Sequence, residues 1–83
     1  MDRAELLGKL RVLAVETLEL DADQITEDAS FADDLDADSL DLVELVMELE
    51  GEFDITIPEE DLEGVKTVGQ ALDLVETRLA VSS

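Results

Sequence analysis

Apolar residues recur at helical spacing in three separate stretches of the chain. In the first, Leu6, Leu10, Leu13, Ala14 and Leu18 fall on one side, and Asp2 with Glu5 three residues later marks the start as an acidic form of the capping box. The second stretch predicts a helix from about Ser39 to Phe53. On a wheel of about 100° per residue, Leu42, Leu45, Val46, Leu49 and Phe53 share one broad face. Leu40, Val43 and Met47 form a second apolar strip, bordered by Glu44 and Glu48. In the third stretch a capping box of Thr67 and Gln70 opens a helix carrying Val68, Ala71, Leu72, Val75 and Leu79 on one face, with Glu76 off that face as a surface acid. Between the second and third stretches, "IPEEDLEG" reads as a short helix, with Pro58 at its first position, acids in its first turn and Gly64 as its stop. No internal repeat is visible, nor any alternation long enough for a strand. The pattern predicts an all-α fold, a small four-helix bundle of three longer helices and one short one, in a single domain spanning 1–83 whose last few residues are expected to be disordered.

This scheme leaves residues 19–38 as a connection of about 20 residues, a length that suits a functional or well-anchored loop. Leu20, Ile25, Phe31 and Leu35 are spaced as pegs that press it onto the helices. A long ordered loop leading into Ser39 is the expectation.

Composition narrows the chemistry. A chain of 83 residues builds one core, and with no cysteine and no histidine it lacks the parts for disulfides, thiolate zinc sites and Ser-His-Asp or Cys-His catalysis. No apolar run approaches the roughly 20 residues of a membrane span, and the N-terminus has no basic segment followed by an unbroken apolar one. The expectation is a soluble cytoplasmic protein that is not an enzyme. Charge sharpens the picture, because the formal net charge is -19 and the only bases are Arg3, Lys9, Arg11, Lys66 and Arg78. Residues 12–65 hold no base and all the acids except Asp2, Glu5, Asp73 and Glu76. Such a surface repels nucleic acid and anionic lipid and favours basic protein partners.

Ser39 stands out at the head of the second helix. Asp38, with Asp41 three residues on, is the better N-cap, which places Ser39 at the first helical position with a free hydroxyl. A phosphate esterified there would meet the positive end of the helix dipole. The second apolar strip adds to this, since a bundle helix needs only one buried face. Val43 suits either a sandwiched position or an exposed one, whereas Leu40 and Met47, ringed by carboxylates, suit contact with a partner.

The segment "DLDADSLDLVELVMELEGEFDITIPEEDLEGVKTVGQAL" resembles an acyl carrier protein of the dissociated fatty acid synthase type, with the D-S-L triplet, V-E-L-V-M, the "EFDI.IP" junction and "KTVG.A" all at family spacing. The resemblance covers nearly the whole chain. It implies a covalent 4'-phosphopantetheine on Ser39, flanked by Asp38 and Leu40, attached from coenzyme A by a phosphopantetheinyl transferase. The arm's thiol would carry acyl chains for fatty acid synthesis. Asp38, Leu40, Asp41, Glu44, Met47 and Glu48 align with the helix that docks onto basic patches of ketosynthases and other acyl-processing enzymes, the carrier itself being a monomer. Phe31, Val46, Ile57, Leu62, Val65, Ala71 and Leu72 would border a cavity for the chain, although periodicity alone makes them core. Two residues depart from the family: Asp36, where many members have glycine, and Gly51, where many have an acid and where the helix end is expected to fray.

A carrier of a polyketide or other specialised acyl pathway fits the same residues. A remoter reading is an acidic divalent-cation module, because Asp34, Asp36 and Asp38 alternate like the first ligands of an EF-hand. That register then fails, with Ser39 where glycine is required and Leu45 where the bidentate glutamate belongs, and no metal ligand is assigned. A hydrolase built on a carboxylate pair lacks an evident cleft to raise one pKa.

Overall fold

The computed structural model describes residues 2–82, with side chains through residue 80. Helices α1 (Arg3–Leu18), α2 (Ser39–Phe53), α3 (Glu59–Leu62) and α4 (Val68–Ser82) follow one another, with a single 3-10 turn at Ala22–Gln24. The fold class and the bounds of α2 agree with the pattern of apolar positions. Of the last few residues, expected to be disordered, those up to Ser82 belong to α4, and residue 83 lies outside the described residues.

Local signals explain most element ends. At the start of α4, Gln70 N donates to Thr67 Oγ1 at 3.2 Å while Gln70 Oε1 accepts from Thr67 N at 3.1 Å, the reciprocal pair that the spacing predicts. Two details differ at the other starts. Asp2 is the N-cap residue of α1 but makes no side-chain cap bond, and Pro58 is the N-cap of α3 rather than its first helical residue. Past Gly51, α2 continues to Phe53 and is ended by Asp54 in the left-handed conformation (φ 55°), whose N–H bonds to the Glu50 carbonyl. The Glu50 side chain then accepts from Ile57 N at 3.0 Å and holds the turn towards α3.

The core collects the predicted faces: Leu6, Leu10 and Ala14 of α1, Leu45, Val46 and Leu49 of α2, Leu62 of α3, and Val68, Ala71, Leu72 and Val75 of α4. Loop residues Ile25, Phe31 and Leu35 are buried as the peg spacing predicts, and Leu20 packs half-buried beside them. Ala29 and Ala37 are buried too. Backbone bonds add a second anchor that the apolar pattern does not reveal. Phe31 N donates to the Lys66 carbonyl at 2.9 Å, Val68 N to the Ala29 carbonyl at 3.0 Å and Gly69 N to the Glu27 carbonyl at 2.9 Å. Ser30 and Thr67 thereby form an isolated antiparallel bridge. The long loop is stitched to the start of α4, so its last turn delivers α2 in a fixed place.

Charged side chains fasten the outside. Arg3 bonds to Glu27, to Asp73, to Glu76 and to the Gly69 carbonyl, joining α1 to the loop and to α4. Lys9 pairs with Glu52 of α2 at 3.1 Å, and Arg78 with Asp61 of α3 at 2.6 Å. Glu76 is therefore part of this fastening and not the free surface acid that its place off the helical stripe suggests.

Candidate functional site around Ser39

The approach to Ser39 is a wound turn. Asp34 N and Leu35 N donate to the Ser30 carbonyl at 2.9 and 3.0 Å, and Ala37 N donates to the Phe31 carbonyl at 2.7 Å. Asp36 takes φ 51° to close that last bond, a left-handed conformation that favours glycine and that aspartate tolerates better than most residues. The turn leaves Asp38 extended at the N-cap. Its Oδ1 accepts from Asp41 N at 2.9 Å, and Asp41 Oδ2 accepts from Asp38 N at 3.2 Å, so the capping box is complete without the serine. Ser39 is exposed at the first position of the helix, with its hydroxyl in no hydrogen bond.

Two grooves open at this residue. One, of about 470 Å³, is lined by Asp38, Ser39, Val65 and Lys66, together with Phe31, Ala37 and Leu42. The second, of about 420 Å³, runs between α2 and α3 and is lined by Ser39, Leu42, Val43 and Leu62 together with Glu59, Glu60 and Glu63. An exposed hydroxyl with a groove on each side suits a phosphate-linked arm of several atoms, since nothing must move to admit it.

Down α2 the two apolar strips part company. Leu45, Val46 and Leu49 are buried, Leu42 and Phe53 half-buried, and Val43 is half-buried at the edge of the second groove. Leu40 and Met47 remain 66% and 63% exposed, which makes them two of the only three large exposed apolar residues among those described. Asp41 is half-buried, and Glu44 and Glu48 are exposed along the same helix. None of these three acids meets a base, so the strip is rimmed by uncompensated charge.

The cavity residues are divided. Phe31, Val46, Ile57, Leu62, Val65, Ala71 and Leu72 are all buried, but only Phe31 and Val65 line the first groove and only Leu62 lines the second. Val46, Ile57, Ala71 and Leu72 border neither. Leu42, which lines both grooves, reads from its periodicity only as core. The alternating aspartates do not converge, since Asp34 Oδ2 accepts from Ser30 N at 2.7 Å while Asp38 caps α2. Among the described residues, no group of three or more acids is arranged to hold a metal ion.

Comparison with known proteins decides the family. Residues 8–75 match the family described as the phosphopantetheine attachment site. The chain is 49% identical over 81 residues to an acyl carrier protein of Petrotoga mobilis, covering 98% of this chain and 95% of that one. The chain belongs to the acyl carrier protein family. Its fold matches the crystal structure of an acyl carrier protein from Thermotoga maritima with a TM-score of 0.90 at 30% identity, over 100% of this chain and 96% of the other. A carrier of this family is not an enzyme: its cofactor is 4'-phosphopantetheine, and it works by meeting acyl-processing enzymes. No described helix is long and apolar enough to cross a membrane.

Proposed function

We propose that Ser39 carries the 4'-phosphopantetheine arm and that the protein shuttles acyl chains in fatty acid synthesis, as a single-domain monomer of the cytoplasm. The observation that carries the reading is the free hydroxyl of Ser39 at the first position of α2, with Asp38 acting as the cap in its place. The helix N-terminus favours an attached phosphate by about 0.3 to 1 kcal/mol at an exposed site. When attached, the arm supplies a terminal thiol that holds an acyl chain as a thioester. The chain itself contributes placement: Asp38 and Leu40 flank the ester, and the grooves on either side give the arm room. Support for primary fatty acid synthesis, over a specialised acyl pathway, is the likeness of the motifs around Ser39 to the fatty acid synthase type, alongside 49% identity to a curated acyl carrier protein.

For partners, the exposed Leu40 and Met47 supply the apolar contact, while Asp41, Glu44 and Glu48 attract the basic rim of a phosphopantetheinyl transferase or ketosynthase. The buried set from Phe31 to Leu72 shelters the acyl chain only if the core parts along the α2–α3 groove, which Leu42, Val43 and the buried Leu62 line.

Intact mass before and after incubation with coenzyme A and a broad-specificity phosphopantetheinyl transferase tests the attachment. One group is expected, on Ser39 and not on Ser30, Ser82 or Ser83, and Ser39→Ala is expected to stay folded and unmodified. Peptide mapping that finds the group elsewhere, or none after exhaustive treatment, removes the reading.

A further inference from the structure

We propose that Lys66 seats the phosphate of the arm, holding it in the groove lined by the start of α2 and by residues 65–66 of the α3–α4 connection. The proposal rests on the attachment to Ser39 argued above. A phosphodiester on Ser39 Oγ adds a negative charge to a helix start that already holds Asp38 and Asp41, with Asp33 on the same groove. The helix end offsets only part of that repulsion. No base occurs between Arg11 and Lys66, so the chain around the serine cannot supply compensation locally. The fold supplies it from the α3–α4 connection, which lines the same groove.

Three observations single out Lys66. It lines the same groove as Ser39 and Asp38. Its backbone is held at both ends, the carbonyl accepting from Phe31 N at 2.9 Å and the N–H donating to Gln70 Oε1 at 2.6 Å, so the stem starts from a fixed point. Its ammonium is uncommitted. Arg3, Lys9 and Arg78 are in ion pairs and Arg11 holds the Ile25 carbonyl through two N–H bonds. Among the described residues Lys66 is the one base with no such partner, in a chain of net charge -19. A lysine is a compact charge on a flexible stem, suited to a phosphate that arrives after folding.

The second groove strengthens the assignment by contrast. Glu59, Glu60 and Glu63 around it oppose a phosphate, while Leu42, Val43 and Leu62 suit an apolar chain. The phosphate therefore leans to the Lys66 side and leaves the α2–α3 side to the cargo.

Phosphorus and nitrogen NMR on the loaded protein tests this, with intact mass first confirming one arm on Ser39 in every variant. In the wild type, loading is expected to shift the Lys66 ε-methylene and Nζ signals. Lys66→Gln is expected to move the phosphorus resonance, Lys66→Arg to restore it, and Lys9→Gln, an equal change of charge at the α1–α2 contact, to leave it unmoved. Moderate salt is expected to move the wild-type resonance towards that of Lys66→Gln. Coincident phosphorus signals in wild type and Lys66→Gln, with Lys66 unaffected by loading, overturn the role of Lys66 while the attachment stands. A chain that gains no mass on Ser39 overturns both, and the mass spectrum distinguishes the two failures.

Discussion

At the residue scale, three acids sit where backbone geometry favours glycine. Glu19 and Asp54 end α1 and α2 at φ 57° and 55°, and Asp36 takes φ 51° in the turn before Ser39. A β-carbon in this region costs about 1 to 2 kcal/mol in an ordinary L-residue, less in aspartate, whose short side chain tolerates it. Asp36→Gly is therefore expected to be more stable than Asp36→Ala by about 1 kcal/mol, part of the gain being offset by the freer unfolded chain. Urea unfolding midpoints at equal m-value check it. Equal midpoints would mean that the turn relaxes out of the left-handed region. The departure from glycine that stands out in the sequence thus has a backbone meaning as well as an electrostatic one.

At the scale of the element, α2 performs three tasks with different faces. Leu45, Val46 and Leu49 hold it in the core, its N-terminus presents Ser39, and Leu40 and Met47 stay in solvent between acids. Glu44→Lys and Glu48→Lys are expected to slow association with a phosphopantetheinyl transferase or ketosynthase by several-fold and to flatten its salt dependence, whereas Met47→Ala mainly speeds dissociation. Surface plasmon resonance across a salt series separates these. A control reversal must change the same charge without breaking a contact. Glu76 fails that requirement because it bonds to Arg3, while Asp23, exposed in the 3-10 turn with no ion pair, meets it. If Asp23→Lys weakens binding as much as the α2 reversals, the acidic surface acts through net charge alone and α2 has no special docking role.

At the scale of the whole molecule, a few bases hold together a strongly repelling surface. Arg3 is the busiest of them. Its guanidinium is pushed above the ordinary arginine pKa, first by the bond to Glu76 and then by Glu27 and Asp73, with burial acting in the opposite sense. It stays protonated at any working pH, so its contribution does not titrate away. Arg3→Ala is expected to cost about 1 to 2 kcal/mol, because it removes a network of partly exposed ion pairs, each worth up to about 1 kcal/mol, and the partner of the Gly69 carbonyl. Thermal unfolding reads this as a fall of several degrees, at roughly 4 to 8 °C per kcal/mol for a domain this small. The acids of residues 12–65 have few such partners, so raising the salt to about 0.15 M, where the screening length is near 8 Å, is expected to raise the melting temperature. A melting temperature independent of salt would show that repulsion does not limit stability.

The sequence by itself determined what depends on neighbours along the chain. Helical periodicity set which faces of α1, α2 and α4 are buried, because side chains three and four apart share a side of a helix whatever else is present. Capping followed for the same reason, since Asp38 with Asp41 and Thr67 with Gln70 are contacts within one turn. The exposure of Leu40 and Met47 was legible as a second apolar strip that the bundle does not need. What only the tertiary structure decided were contacts between residues far apart. The bridge of Ser30 to Thr67 leaves no trace in apolar spacing, because it is made by backbone groups that every residue carries. The four bonds of Arg3, the commitment of Glu76 and the placing of Lys66 on the same groove as Ser39 depend on where the long loop comes to rest. Periodicity could not say which buried residues border a cavity, because core and cavity wall are the same apolar types at the same spacing, and only packing leaves Leu42 beside both grooves and Leu72 beside neither.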